Sequence, residues 1–270
     1  MTLRARASQN EPDANRLPGD LFRAWPKLRV RLCAADRIAV LLDFDGTLVD
    51  LRRHPSDVRA SAAVKHALSR LVQDPRFFVA IVSGRSVRVL RRLLGVKGLH
   101  YVGLHGAERG GESIVLAQGT VTAVSQMKRS AVAQLGAFPG IWIEDKGLSI
   151  AVHYRHASPV PIRAAREALS HLLMPWGAAF RVLKGSCVWE VLPREIPGKP
   201  AAVQKVLHGS PVGIPVVYMG DDGTDEAVFA VLTDQITVRV GRRAGTRARY
   251  YVRTPGDVLR FLERLGRELC

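Results

Sequence analysis

Cysteine is scarce. Cys33, Cys187 and Cys270 are the whole supply, and no two of them form a C-x-x-C pair. An odd count without paired spacing excludes a disulfide framework and a thiolate zinc site. Aromatic residues make up only 6% of the chain and are not interleaved with arginine, so a base-stacking surface for nucleic acid has no basis in the pattern. No uncharged apolar run reaches the roughly 18 residues of a membrane span, and residues 1–33 hold no signal-like run, so a cytoplasmic chain is expected. Acidic residues are also few, 24 against 40 Lys and Arg, giving a net charge of +16. That excess suits nucleic acid, an anionic surface or a small anionic substrate. The arginines (Arg52, Arg53, Arg91, Arg92, Arg242 and Arg243 among them) are scattered, which leaves an anionic small molecule as the favoured partner, with a monomer as the expected state.

What is present is ample apolar content, 47% of 270 residues, enough for one large or two smaller domains. Residues 38–43 are an apolar run ending in a carboxylate. It is apolar on both faces, as a central strand of a parallel sheet is. Further strand and helix patterns alternate: a helix over 60–73, a strand over 77–82, a helix over 86–94, and a strand over 99–102. From residue 110 the pattern changes to a strand at 113–116, a helix within 121–138, a hairpin of 142–145 and 148–154, and a helix over 161–173. A second hairpin of 180–183 and 187–191 turns at Lys184-Gly185 and places Cys187 in the core. Alternation then resumes with helices over 199–208 and 225–231, strands over 216–219, 235–240 and 250–252, and a closing helix over 255–265. The expectation is an α/β protein with a Rossmann-like parallel core of residues 31–110 and 198–270 and an inserted α+β unit of 111–197. Residues 1–30 read as a flexible segment, with a short helix within 20–33 broken or started at Pro26.

Two acidic clusters occupy equivalent places. Asp43 and Asp45 follow the first strand, and Asp221, Asp222, Asp225 and Glu226 follow the strand at 216–219. Ligands of open α/β sheets bind outside the carboxyl ends of strands. Burying an unpaired carboxylate there costs several kcal/mol, roughly, and a divalent cation is the simplest compensation.

Asp43-Phe44-Asp45-Gly46-Thr47-Leu48 resembles the first motif of the haloacid-dehalogenase-like phosphatases. Ser83-Gly84-Arg85 resembles their second, Lys199 their third, and Gly220-Asp221-Asp222-x-Thr224-Asp225-Glu226 their fourth. Within that superfamily the chain is similar to the trehalose-6-phosphate phosphatases. The stretches that carry this are Gly103-x-His105-Gly106-x-Glu108, Glu144-Asp145-Lys146-Gly147-Leu148-Ser149, His153-Tyr154-Arg155, and Trp189-Glu190-Val191-x-Pro193. Lys199-Pro200 departs from the family's usual Lys-Gly, although proline fits a first helical turn.

The resemblance implies a Mg²⁺-dependent hydrolysis of trehalose 6-phosphate through an aspartyl-phosphate. Asp43 is the candidate nucleophile and Asp45 the candidate acid and base. Asp43, Asp45, Asp221, Asp222 and Asp225 are candidate metal ligands, Asp45 through its carbonyl. Thr47, Ser83, Gly84, Arg85 and Lys199 are candidates for holding phosphate. Lysine at a helix start opposes the macrodipole and makes sense beside a shared anion. Glu144, Lys146 and Glu190 are implied to meet sugar hydroxyls, with Arg155, His105 and Glu108 near them. The inserted unit would act as a cap that closes over the substrate and excludes water. A sucrose- or glucosylglycerol-type phosphate would leave the core motifs unchanged. A non-catalytic basic nucleic-acid or anionic-surface binder is the rival from another class.

Overall fold

The computed structural model describes residues 15–52, 54–208 and 213–269. Its main sheet has nine strands. In chain order the first elements are β1 (Gly19–Asp20), α1 (Leu21–Cys33), β2 (Ile38–Leu42), α2 (Ala62–Gln73), β3 (Phe77–Val82), α3 (Val87–Leu94) and β4 (His100–Gly103). A short hairpin, β5 (Glu108–Arg109) and β6 (Glu112–Ser113), follows. The inserted unit holds α4 (Gln118–Leu135), β7 (Trp142–Asp145), β8 (Ile150–His153), α5 (Pro159–Leu173), β9 (Phe180–Gly185) and β10 (Val188–Pro193). The chain then returns through α6 (Lys199–Leu207), β11 (Val216–Gly220), α7 (Gly223–Val231), β12 (Ile236–Val240), β13 (Tyr250–Val252) and α8 (Pro255–Glu268).

The strand order is β1-β13-β12-β11-β2-β3-β4-β5-β6, which puts β2 in the middle. Its side chains alternate between two cores. Ile38, Val40 and Leu42 pack with α1, α2, α3 and α8, and Ala39 and Leu41 pack with α6 and α7. Helices cover both faces, which is why this strand reads as apolar throughout. β2 pairs in parallel with β3 on one side and β11 on the other. The chain therefore winds away from β2 in both directions, and a crevice opens at the carboxyl ends of β2 and β11. The Asp43 N–H donates to the Met219 carbonyl at 2.9 Å and locks the two ends together.

The insert is a four-stranded antiparallel sheet, β7-β8-β10-β9, with α4 and α5 on one side around Met127, Leu135, Leu169, Trp189 and Val191.

Several expectations are corrected. Residues 19–30 belong to the core: Asp20 caps α1, and the helix buries Leu21, Trp25, Leu28 and Leu32. Pro26 sits inside this helix on its exposed side, where the carbonyl it leaves unpaired reaches water and apolar burial opposite holds the turn. Residues 1–14 lie outside the described residues. The strand expected at 113–116 is β6, which pairs with β5 in the main sheet, because Gly110 and Gly111 at φ 65° and 137° make a tight turn. The insert therefore begins beyond Ser113. The β9–β10 turn lies at Ser186-Cys187, not at Lys184-Gly185. Cys187 is half-buried at φ 60° and is not a core residue.

Candidate functional site

Phe44 is fully buried between the two carboxylates that flank it, so Asp43 and Asp45 leave β2 in different directions. Asp43 is 4% exposed. Its Oδ1 accepts a hydrogen bond from Lys199 Nζ at 2.7 Å, and the same ammonium donates to Asp225 Oδ1 at 2.8 Å. Lys199 is the first residue of α6, entered through Gly198 at φ 89°, and Pro200 at the second position gives up only an N–H that has no partner within the helix. Burial works against the charge of Lys199, but Asp225 and Asp43 outweigh it and hold the ammonium well above its usual range. Burial pushes the Asp43 carboxyl well up against the pull of Lys199, with Asp225, Asp221 and Asp222 adding to the rise.

Asp225 accepts four hydrogen bonds: from Lys199, from the Tyr218 hydroxyl at 2.7 Å, and from the backbone N–H groups of Asp221 and Asp222 at 2.9 and 3.0 Å. It therefore shapes the loop and aims Lys199. Asp222 caps α7 by accepting from the Thr224 and Asp225 backbone and from the Thr224 hydroxyl. Among the described residues, no donor reaches the Asp221 carboxylate, whose pKa burial, Asp225 and Asp222 raise to about 8. Gly46, at φ 81°, lets this carboxylate lie where a Cβ would stand.

One oxygen each from Asp43, Asp221 and Asp225 lie within 4.8 Å of one another. This all-oxygen set, crowded enough to raise Asp221, fits a hard divalent cation. Asp222, expected among the ligands, is not in this set. The side chain of Asp45, a residue expected to ligate through its carbonyl, lies elsewhere. Asp45 instead faces Arg85, whose Nε and Nη2 donate to its two oxygens at 2.6 and 2.7 Å. Arg85, expected on phosphate, is thus committed to a carboxylate.

Ser83 is buried at the end of β3, and its hydroxyl accepts from the Arg85 N–H at 3.2 Å. Gly84 is required because a Cβ would come within 2.7 Å of His105 Nε2. His105, itself at φ 54°, pairs with Glu190 Oε2 at 2.8 Å. Lys146 Nζ donates to that same oxygen at 3.1 Å, and the Ser149 hydroxyl reaches Oε1 at 3.4 Å. Burial opposes the Glu190 charge, yet His105 and Lys146 hold its carboxyl far below the usual range. Glu144 pairs with His153 at 3.0 Å. Arg155 donates to the Ser186 carbonyl at 3.0 Å.

These groups face one cleft of about 1050 Å³ including its open mouth, with Asp43, Asp45, Lys199 and Asp221 on the sheet side. Ser83, Gly84, Arg85 and His105 line it from the core, and Glu144, Lys146, Arg155 and Glu190 from the insert. Three expected residues are not on its lining: Asp225, which lies beneath it bonded to Lys199, and Glu108 and Thr47. Glu108 accepts from the Val87 N–H at 2.6 Å, the first N–H of α3, whose cap is Ser86. Thr47 is wholly buried, with its hydroxyl unpartnered among the described residues.

Sequence reasoning missed Tyr218, the one hydroxyl within an apolar strand, whose placement is the available signal. It also missed Trp142, His54 and His156 on the cleft wall. His153 lines the cleft as well.

A parallel sheet that reverses its winding beside β2, with the acidic loops of β2 and β11 meeting under an α+β insert, is the haloacid-dehalogenase-like fold. A family model described as trehalose-phosphatase matches residues 41–253, and the chain belongs to that family. It is 32% identical over 251 residues to a trehalose-phosphate phosphatase of Mycobacterium tuberculosis (strain H37Rv), which covers 86% of this chain and 62% of that protein. The chain thus spans about three fifths of the length of these mycobacterial relatives. It is 31% identical over 235 residues to the trehalose-6-phosphate phosphatase of Escherichia coli (strain K12), covering 84% of this chain and 86% of that one. The C-terminal domain of Candida albicans trehalose-6-phosphate phosphatase superposes with a TM-score of 0.82 at 23% identity, over 94% of this chain and 99% of that one. No helix among the described residues is long and apolar enough to cross a membrane.

Proposed function

We propose that this protein hydrolyses trehalose 6-phosphate to trehalose and phosphate, using Mg²⁺. One observation carries the proposal. The Asp43 carboxylate, fixed by Lys199, opens into a cleft whose opposite wall is the Glu144, Lys146 and Glu190 surface of the insert. That juxtaposes a group able to take a phosphoryl group with polar side chains able to bond sugar hydroxyls. The family relatives, which include the Escherichia coli enzyme matched over most of its length, support the same reading.

Asp43 attacks phosphorus through its free oxygen while Lys199 keeps the other oxygen in place. The new bond is Asp43 O–P, and the bond to the sugar oxygen breaks. Asp45, protonated in exchange for its Arg85 bonds, gives its proton to that oxygen. The carboxylate left behind then takes a proton from water, whose oxygen bonds phosphorus as the Asp43 O–P bond breaks. Asp43 and Asp221 are the carboxylates that would hold the magnesium ion, which supplies charge neutralisation between nucleophile and phosphate. Asp225 keeps Lys199 and the β11 loop oriented. Glu190 and Lys146 are paired to each other and have remaining hydrogen-bonding capacity for hydroxyl groups. The unit beyond Ser113 is the cap, and it excludes water from the aspartyl-phosphate.

Phosphate release from trehalose 6-phosphate, sucrose 6-phosphate, glucose 6-phosphate and a glucosylglycerol phosphate tests the substrate. Preference for trehalose 6-phosphate, abolished by chelator, is expected. Preference for another member of the panel would reassign the roles of Glu144, Lys146 and Glu190.

A further inference from the structure

The closed end of the cleft is ionic, whereas its open end is aromatic. Trp142 lines the cleft and is 42% exposed. Its indole stacks on the His153 ring at 4.6 Å between centroids and 29° between planes. Glu144 holds His153 by a hydrogen bond at 3.0 Å, so the stack has a fixed base. From the core side, the exposed His54 meets the indole edge-on at 6.0 Å and 84°. His54 lies on the cleft wall as well.

Burial in a hydrophobic core does not explain Trp142. It sits on β7, the edge strand of its sheet, where a large apolar side chain is a liability. An ordered aromatic surface at the mouth of a polar cleft marks ligand contact. None of the phosphoryl-transfer groups bonds to it.

We infer that Trp142, backed by His153 and flanked by His54, is a stacking platform for the pyranose ring farther from the phosphate. The inference rests on reading the cleft as a sugar-phosphate site. Phosphorus must reach Asp43, which is 4% exposed. The ring that carries the phosphate then lies inside the cleft, and the second ring lies at its exposed end. A pyranose presents hydroxyls at its rim and C–H groups on its face. The face matches a flat aromatic surface, while the rim stays free for Glu144 and Lys146. Tryptophan has only two side-chain torsions, and here the His153 stack already restricts them, so little freedom is lost on binding. A phosphorylated monosaccharide ends short of this surface, so the platform separates disaccharide from monosaccharide phosphates.

The test compares wild type with Trp142→Ala, Trp142→Phe and His54→Ala in steady-state hydrolysis of trehalose 6-phosphate. Product inhibition by trehalose and by inorganic phosphate is measured alongside. For Trp142→Ala, KM and the trehalose inhibition constant rise about tenfold, whereas kcat and the phosphate inhibition constant hold. Trp142→Phe keeps a ring and stays within roughly threefold of wild type. His54→Ala shifts the same two constants in the same direction by less. Unchanged trehalose inhibition in Trp142→Ala overturns the platform, as does an equal loss of phosphate inhibition, which would mark a structural role. Wild type that releases no phosphate from trehalose 6-phosphate overturns the reading beneath it as well, and that failure shows before any variant is made.

Discussion

Arg85 grips Asp45 with two of its three guanidinium nitrogens, Nε to Oδ2 at 2.6 Å and Nη2 to Oδ1 at 2.7 Å. The remaining arm donates to the Pro55 carbonyl at 3.1 Å, and the group lies 5.6 Å from the centre of the Phe44 ring. Burial opposes the Arg85 charge, but the bonds and the charge of Asp45 raise its pKa regardless. The side chain assigned to proton transfer is therefore aimed by a planar fork that is itself held on three sides.

Arg85→Lys and Arg85→Ala both lose that fork. An ammonium is a point charge and cannot hold two carboxylate oxygens in one plane. Both variants are expected to lower kcat about 100-fold, the scale of a misplaced catalytic group, with a smaller change in KM. Initial rates of phosphate release measure this. Wild-type kcat in the Arg85→Lys variant would show that Asp45 needs no such aiming.

Lys199 is the buried countercharge between Asp43 and Asp225. Lys199→Met leaves two buried carboxylates without it, a change that costs about 3–5 kcal/mol when one partner of a buried ion pair is removed. Urea unfolding of the metal-free protein is expected to show that loss, together with loss of turnover. Retained stability would mean that the carboxylates take up protons at little cost.

Glu190 ties stability to pH. Its carboxyl is held far below its ordinary value of 4.5, against its burial, by His105 and Lys146. The unfolded chain therefore binds the proton first as pH falls. The contribution is fully present above 4.5 and is lost as pH drops below it toward the folded value. Glu190→Gln is expected to flatten the fall of unfolding free energy with acid in that window. An unchanged slope would place the acid sensitivity elsewhere.

Two glycines allow a close approach between the insert and the core. A Cβ on Gly185 would stand 2.9 Å from Asp222 Oδ2, and one on Gly223 would stand 2.7 Å from the Lys184 carbonyl oxygen. Gly223 opens α7 directly after the Asp222 cap. Gly223→Ala is expected to lower thermal stability and to lower kcat/KM about tenfold, because the Cβ would push the Lys184 carbonyl away and β9 can no longer seat on the helix start. Wild-type kinetics would show that catalysis does not need this close approach.

Much of the fold is legible in the sequence because burial leaves a plain trace. β3, β7 and β13 fall where the apolar runs predict, and the all-apolar β2 announces a sheet covered on both faces. Asp43 and Asp221 stand out in the sequence because charge at the end of an apolar run needs a reason, and Lys199 because a cation at a helix start opposes the macrodipole. Tertiary packing hides the rest. Pro26 tolerates its helix because Leu21, Trp25, Leu28 and Leu32 are buried opposite it. Only the folded chain shows that Glu108 accepts from the Val87 N–H at the start of α3. Arg85 points toward phosphate on sequence grounds, since nothing local in Ser83-Gly84-Arg85 reveals that Asp45, 40 positions away, accepts from two of its nitrogens. The aromatic rim escapes because His54 and Trp142 come from different units and meet only in the folded chain.

The most direct test is phosphate release from trehalose 6-phosphate with Mg²⁺ by wild type and by Asp43→Asn, with circular dichroism confirming that both are folded. Rapid release by wild type, with none above background for Asp43→Asn or for wild type in chelator, is the predicted result. Release by Asp43→Asn at a rate near wild type would contradict the assignment of Asp43 as the group that takes the phosphoryl.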